Sequence, residues 1–447
     1  GLALMTFGSA ARAQGVLAPS AGPINSAMAG ASTAAAVDFG GSYWNPAILS
    51  GLKRPEVLIS SALAIPSIHL NSELPAGSIG GAYPTTNRFG TARSNSGVVS
   101  GLAVGASIKL RDDSPWTMGV GVFGLVGGGV NFAGSDSTPI LGPRRPPNYF
   151  GLGPIYANMS IISINPMASL QLTDKLAVAA GPVVTSSTVS FSPAFFAPGP
   201  KDQYGVATFP AGTNGRPFWG GGFQLGLLYE LNDDWNLGFS YKSPVWQERW
   251  SFNSANPDLS ARHVGVQAQL PQIFSWGVAY KGLSRTIIDV DMRYVDYANA
   301  DLFGQKIADG GLDWRSVFVA AVGARYQATD RLALMGGYMY NMNPVRAPQT
   351  LFNVQAPGII QNMLTLGASY QITDDVTFSS SWQHGFRNAI SGPIGQVPGG
   401  DVKIDAQLDT LYAGITIQYG TKKVKTPAPP QVGGPVATAA PAPALVE

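Results

Sequence analysis

The chain has no cysteine in 447 residues, so disulfides, thiolate nucleophiles and sulfur-ligated zinc or iron–sulfur sites are excluded. Charge is scarce: Asp, Glu, Lys and Arg make up 12% of the chain, about half the share of an ordinary soluble domain. A net charge of +2 and the lack of any long Lys/Arg run argue against nucleic acid as a partner. Three histidines, His69, His263 and His384, stand at separations that fit no local metal-ligand motif, so no metal or other cofactor is expected. No run of about 18 apolar residues occurs, so no membrane-spanning helix is expected either. What the chain has in quantity is 55 glycines and 45% hydrophobic residues. Something other than a hydrated globular surface covers this protein.

The ends differ from the middle. Leu2 to Phe7 is apolar and runs into Ala11-Arg12-Ala13 before Gln14, which reads as a signal-peptide remnant over residues 1–13; a buried N-terminal helix is the alternative. Residues 421–447 are rich in Pro and Ala without apolar periodicity, as in a flexible tail. An exported chain without a spanning helix is a periplasmic protein, a secreted protein or an outer-membrane barrel.

Alternation selects among these. Leu102, Val104, Ala106, Ile108 and Leu110 share one face, against Gly101, Gly105, Ser107 and Lys109. Ile288, Val290, Met292 and Tyr294 likewise oppose Asp289, Asp291 and Arg293, and Leu411, Ala413, Ile415, Ile417 and Tyr419 oppose Tyr412, Gly414, Thr416 and Gln418. A soluble sandwich would carry Lys and Glu on its outward face. Here the less apolar face is mostly Gly, Ser, Thr and Gln, which suits the interior of a barrel in lipid.

Fourteen such segments are expected, near 57–65, 101–110, 117–127, 161–172, 175–185, 219–231, 235–243, 273–281, 285–295, 315–327, 331–341, 363–372, 375–384 and 408–419. Short turns such as Thr173-Asp174, Asn232-Asp233-Asp234 and Thr373-Asp374 alternate with long connections. Aromatic residues such as Trp116, Trp235, Tyr326 and Tyr370 fall near the turns, and Tyr241, Tyr294, Tyr340 and Trp382 toward the loops, as in two interfacial girdles. The fold class is therefore an all-β membrane protein: a 14-stranded antiparallel outer-membrane barrel over residues 53–420 with both termini periplasmic. Residues 14–52 do not alternate and are Gly/Ala-rich, and are expected to lie inside the barrel as a plug.

That segment contains Ala27-Met28-Ala29-Gly30-Ala31 and then Asp38 to Ala47, ending in Asn45-Pro46-Ala47. It resembles the N-terminal hatch of the FadL-type outer-membrane transporters of long-chain fatty acids and aromatic hydrocarbons. Trp235 to Pro244, Leu270-Pro271 leading into Phe274 to Tyr280, and Gly336-Gly337-Tyr338 with Asn343-Pro344-Val345 follow in the family's order, so the resemblance covers most of residues 25–420. It implies passive uptake: capture of a hydrophobic small molecule by surface loops, a site beside the hatch, and lateral exit through the wall at an inward kink of the third strand. Gly127, Gly128 and Gly129 are the kink candidates, with a flexible loop start as the other reading. It also implies that Asn45 anchors the hatch and that Phe39, Tyr43, Trp44, Ile48 and Leu49 line an apolar pocket; plain turn formation and packing are the alternatives. The expected partners are the hydrophobic cargo, outer-membrane lipid and lipopolysaccharide, and the barrel-assembly machinery, with a monomeric chain. Two departures stand out: a tail follows Tyr419, where the family commonly ends in an aromatic residue, and Ile48 follows Ala47, where the family often has Gly.

Catalytic motifs are sparse. Gly119 to Gly124 matches G-x-G-x-x-G without a following helix and reads as a strand. Asp289 and Asp291 beside Arg293 read as a charge ladder in a wet lumen rather than an acid–base pair. No enzyme is expected. A general porin, a barrel phospholipase using a Ser and one of the three His, and an adhesin remain as alternatives.

Overall fold

The computed structural model describes residues 14–79, 83–111, 113–143, 151–199, 208–213, 215–256, 258–395 and 397–420. The expected signal remnant and the expected tail lie outside them.

Fourteen strands close into one antiparallel barrel: β1 Glu56–Leu74, β2 Val99–Lys109, β3 Trp116–Phe132, β4 Ile155–Gln171, β5 Leu176–Ser192, β6 Phe218–Glu230, β7 Trp235–Lys242, β8 Ile273–Tyr280, β9 Thr286–Val295, β10 Val317–Gln327, β11 Leu332–Asn341, β12 Asn362–Gln371, β13 Val376–Pro393 and β14 Asp401–Gln418. Sequential neighbours pair throughout, and β1 closes on β14 from Glu56↔Gln418 to Glu73↔Asp401. Closure leaves no edge at which backbone groups would face hydrocarbon unbonded. Every expected segment is a strand, so the fourteen-strand reading and its alternation hold.

The faces sort as the period-two pattern requires. Ile415, Ile417, Leu364, Leu366, Val290 and Met292 are exposed on the outside, while Thr416, Thr365, Asp289 and Asp291 are buried inside. Trp235 packs at a tilt against Tyr280 across the β7–β8 pair with ring centroids 4.6 Å apart, at the end where the short turns lie.

Several strands outrun the expectation. β1 continues nine residues past Ile65, to Leu74, and β3, β4, β5, β13 and β14 are also longer than a membrane crossing requires. Pro66 marks a break in sequence, yet it sits inside β1 opposite Leu408. On the other side of β1 the pairing with β2 stops at Ala64↔Val99 and resumes, with a short strand Arg88–Arg93, at His69↔Arg93. Proline is tolerated where a ladder is already interrupted. A two-stranded hairpin, Trp250–Ala255 with Ala261–Val266, stands at the long-loop end.

Residues 14–52 carry only short helices, Pro23–Ala27 and Ile48–Gly51, and a 3-10 turn at Phe39–Tyr43. Nearly all of the segment is buried, and it touches strands all around the wall: Gly105 on β2, Gly226 on β6, Gly277 on β8, Gly323 on β10 and Gly367 on β12. Only a position in the lumen permits this.

Candidate functional site

Glycine on the inner face is what lets the segment sit so close. A side chain at Gly226 would place its Cβ 2.3 Å from the Asn45 Oδ1 atom, and one at Gly105 would place it 1.9 Å from the Phe39 ring. The inner-face glycines noted in the sequence are thus recesses for the plug rather than weak spots in strands.

Two carboxylates of β9 hold the segment's backbone. Asp291 Oδ2 accepts hydrogen bonds from the amides of Ser32 (3.0 Å) and Thr33 (3.1 Å) and from the Thr33 hydroxyl (2.7 Å). Asp289 Oδ2 accepts from the amides of Ala34 (3.3 Å) and Ala35 (2.9 Å). Four successive amides thereby end on two buried carboxyl groups of one strand. Arg293 neutralises Asp291 at 2.7 Å and donates to the Gly30 carbonyl. These are the three charged residues read from sequence as a ladder; their main partners lie in the plug.

Asn45 spans the same junction. Its Nδ2 donates to the carbonyls of Thr33 (2.7 Å) and Leu227 on β6 (2.9 Å), and its Oδ1 accepts from the Ala47 amide at 3.0 Å. One side chain therefore serves both as a local turn and as a link from segment to wall.

Phe39, Tyr43, Trp44, Ile48 and Leu49 are all buried. Phe39 and Tyr43 converge on Phe123 of β3, at centroid distances of 6.3 and 5.4 Å, and Tyr43 meets Trp44 edge-on at 4.8 Å. The structure brings all five together with the wall as packed core. Two cavities lie elsewhere, and none of these five residues lines them.

Both cavities follow an interruption in the wall. β2 and β3 pair from Lys109↔Thr117 only as far as Ala103↔Phe123. Leu125 is a bulge against β4, because Gly124 faces Ile162 and Val126 faces Ile161. Beyond it β3 stays with β4 and leaves β2, and at Asn131 it is met by the segment that precedes β2, where the Asn131 carbonyl accepts from the Asn95 amide at 2.7 Å. Within the interval the plug takes the partner's place: the Ala18 amide donates to the Leu125 carbonyl at 2.7 Å and Leu17 bridges Val126. One cavity is lined by Ile68, Val99, Gly127, Gly128, Gly129 and Leu408, and the other by Ala18, Ala21, Ser60, Leu102, Gly124 and Tyr412. Gly128 has φ +122°, and a Cβ on Gly129 would lie 1.7 Å from the Ala157 carbonyl oxygen, so both positions demand glycine. The bulge itself lies two residues before the three glycines.

Sequence reading missed one residue of consequence. Lys242, at the loop end of β7, holds its ammonium 4.0 Å from the Tyr43 ring centroid and 4.7 Å from that of Trp44, while the Arg293 guanidinium covers Trp44 at 4.0 Å. Lys242 has no hydrogen-bond or ion-pair partner among the described residues, and Arg293 keeps Nε and Nη1 buried and unpartnered. The only signal was a basic residue ending a strand between Tyr241 and Ser243. The aromatic faces hold both cations partly desolvated.

Asp38, buried in the 3-10 turn, has its carboxyl pushed up to about 8, by desolvation first and by the nearby Glu56 second. Of the histidines, His69 and His384 bond Asp405 (3.0 Å) and Asp409 (2.8 Å), and His263 sits in the loop-end hairpin. Neither paired ring is hydrogen-bonded to a serine hydroxyl among the described residues. Lys53 and Arg54 lie at the turn end, where Arg54 pairs with Asp375 at 2.6 Å.

A closed fourteen-strand barrel with a segment bonded inside its lumen and a wall interrupted at the third strand is a specific architecture. Residues 2–390 match the model of the family described as outer membrane protein transport protein (OMPP1/FadL/TodX). The chain belongs to that family. In fold it is similar to the toluene transporter TodX of P. putida, with a TM-score of 0.68 at 14% identity, covering 90% of this chain and 99% of that one. The 47 kDa outer membrane protein of Pasteurella multocida is 21% identical over 378 residues, 76% of this chain and 79% of that protein. The putative outer membrane protein NMB0088 of Neisseria meningitidis is 23% identical over 214 residues, 41% of this chain and under half (46%) of that protein's length. The family consists of transport channels of the bacterial outer membrane, and it carries hydrophobic compounds.

Proposed function

We propose that the protein takes up hydrophobic molecules passively across the outer membrane and releases them sideways through the β2–β3 interval. The observation that carries this reading is the loss of β2–β3 pairing beyond Phe123 with apolar cavities on it. A solute moving along that path stays against apolar surface and leaves into lipid without crossing a polysaccharide layer or water. Residues 14–52 act as the hatch, anchored by Asn45, Asp289 and Asp291, and Gln14 to Ala18 form its movable lip against β3. Phe39, Tyr43, Trp44, Ile48 and Leu49 form the rigid hatch-side floor of the pocket. The long loops face the cell surface and both termini face the periplasm. Phe195 and Phe196, clustered with Phe191, Phe209, Phe252 and Phe352, offer the capture surface. The chain works as a monomer, without catalysis.

Lys242 favours an amphiphile with an acidic head over a neutral hydrocarbon, because an unpaired, partly desolvated cation gains most from an anion, whereas Arg293 beside it is already paired with Asp291. Mass spectrometry of apolar molecules retained by the purified barrel tests the reading, beside a variant with Asn45, Pro46 and Ala47 replaced by Ala, Ala and Gly. Retention of long-chain acids by the parent and their loss in the variant is expected. An empty parent that conducts ions freely in planar bilayers points to a porin instead.

A further inference from the structure

Outside the lumen, one part of the wall is unlike the rest. The extensions of β1, β13 and β14, with Arg88–Arg93, form a four-stranded sheet at the loop end, in register at Arg93↔His69, His69↔Asp405 and Asp405↔Ala389. Lower on the same face the wall is apolar, with Leu63, Leu411 and Trp382 in one row and all exposed. One pair higher, Ile65 is level with Asp409, which accepts from Trp382 Nε1 (3.0 Å) and binds His384. Polarity therefore begins at Asp409. From there to Asp405 is about 13 Å along the strand, or roughly 10 Å of height at the usual tilt. An ordinary headgroup region is about 5–8 Å deep on each side, so Asp405 stands at its outer margin, at the level of sugars carried on a headgroup.

A register shift between Gly385 and Asn388 aims Phe386 and Arg387 both outward. Arg387 bonds Asp405 and reaches His69 at 2.9 Å. Arg93 stands on the far side of His69, and Lys403 lies two residues from Asp405 on the same face. Arg93 and Lys403 have no hydrogen-bond or ion-pair partner among the described residues. Arg387 thus pairs with Asp405, Arg93 and Lys403 stand beside that pair, and Glu73 and Asp401 occupy the row beyond Lys403, level with Phe89. Phe386 and Phe89 are exposed at 44% and 66% on this face.

We propose that this face binds the phosphorylated sugar headgroup of an outer-leaflet glycolipid. Arg93, Arg387 and Lys403 take the phosphate oxygens, and Phe386 supports a sugar face, a division of labour that suits guanidinium forks and flat rings. The inference rests on the orientation proposed above, with the loop end at the cell surface.

Native mass spectrometry of the full chain in detergent tests it, with a bis-phosphorylated, acylated glucosamine disaccharide as probe and its dephosphorylated form as comparison. Binding in detergent does not depend on orientation or transport, so failure here is separate from failure of the uptake reading. The triple variant Arg93→Gln/Arg387→Gln/Lys403→Gln is expected to bind the phosphorylated probe on the order of a hundredfold more weakly. Arg216→Gln/Arg249→Gln, at the loop end but off this face, is expected to bind as the parent does. Equal binding by the triple variant, equal binding of the dephosphorylated probe, or displacement by millimolar inorganic phosphate would each overturn the proposal. Should the triple variant fail to fold, the parent alone decides: its affinity must fall as salt rises, and a flat salt dependence refutes the phosphate contacts.

Discussion

Replacing Asp291 by Ala should loosen the hatch without unfolding the barrel. Asp291 receives three hydrogen bonds from Ser32 and Thr33 and pairs with fully buried Arg293. Removing one member of a buried pair costs about 3–5 kcal/mol, because the other charge is left uncompensated. Hydrogen bonds to a charged acceptor contribute about 1.5–3 kcal/mol each, and these terms overlap rather than add. Arg293 retains the Gly30 carbonyl, which offsets part of the loss. A net of about 4 kcal/mol remains, or on the order of a thousandfold in the local opening equilibrium. Amide hydrogen exchange on the detergent-solubilised barrel reads this directly. Protection of Ser32 and Thr33 should fall by that factor, protection of Ala34 and Ala35 on Asp289 by less, and the strand amides should hold. Asp291→Asn, which keeps an acceptor oxygen but no charge, should fall between. Protection of Ser32 and Thr33 in Asp291→Ala within about threefold of the parent would refute the clamp.

Gly226→Ala would press a methyl group against Asn45 Oδ1 at 2.3 Å, so it should destabilise by about 1–3 kcal/mol, seen as a lower temperature for the gel shift that separates folded from unfolded barrel. Asp38 carries its proton up to about pH 8. A carboxyl whose folded value is raised contributes fully below its unfolded value and loses that contribution as pH rises through 8, so the 38–41 turn should be best protected in acid and loosen above pH 8. Asp38→Asn should flatten that dependence, and a parent turn equally protected at pH 6 and about 9.5 would contradict it. Lys242→Met should weaken binding of a long-chain carboxylate about tenfold or more, while leaving a neutral aromatic of similar size unaffected. Equal losses for both ligands, measured by titration calorimetry, would remove Lys242 from headgroup recognition.

The barrel was legible because its signal is local. Alternation over about ten residues, as in Leu411 to Tyr419, needs no knowledge of distant partners. Strand extensions were harder to see: Pro66 reads as a stop, and only the interrupted β1–β2 ladder explains why it is not one. Asp289, Asp291 and Arg293 could be placed on the inner face, but their partners lie 254 to 263 residues away in the chain, beyond any spacing rule. Gly127 to Gly129 were singled out as a break, and they line a cavity there, while the bulge at Leu125 carries no sequence signature. Lys242 was hidden because a lone basic residue ending a strand looks like any interfacial lysine. Only the rings of Tyr43 and Trp44, brought over it by the plug, set it apart.

The chain has no cysteine, so a pair introduced as Val99→Cys and Gly127→Cys, on opposite sides of the same cavity, can be bridged by a short reversible thiol crosslinker without background. Uptake of labelled long-chain acid by cells carrying this variant is the most direct test of release through the wall. Uptake should stop when the bridge is made and return when it is reduced; equal uptake in the bridged and reduced states would contradict lateral exit between β2 and β3.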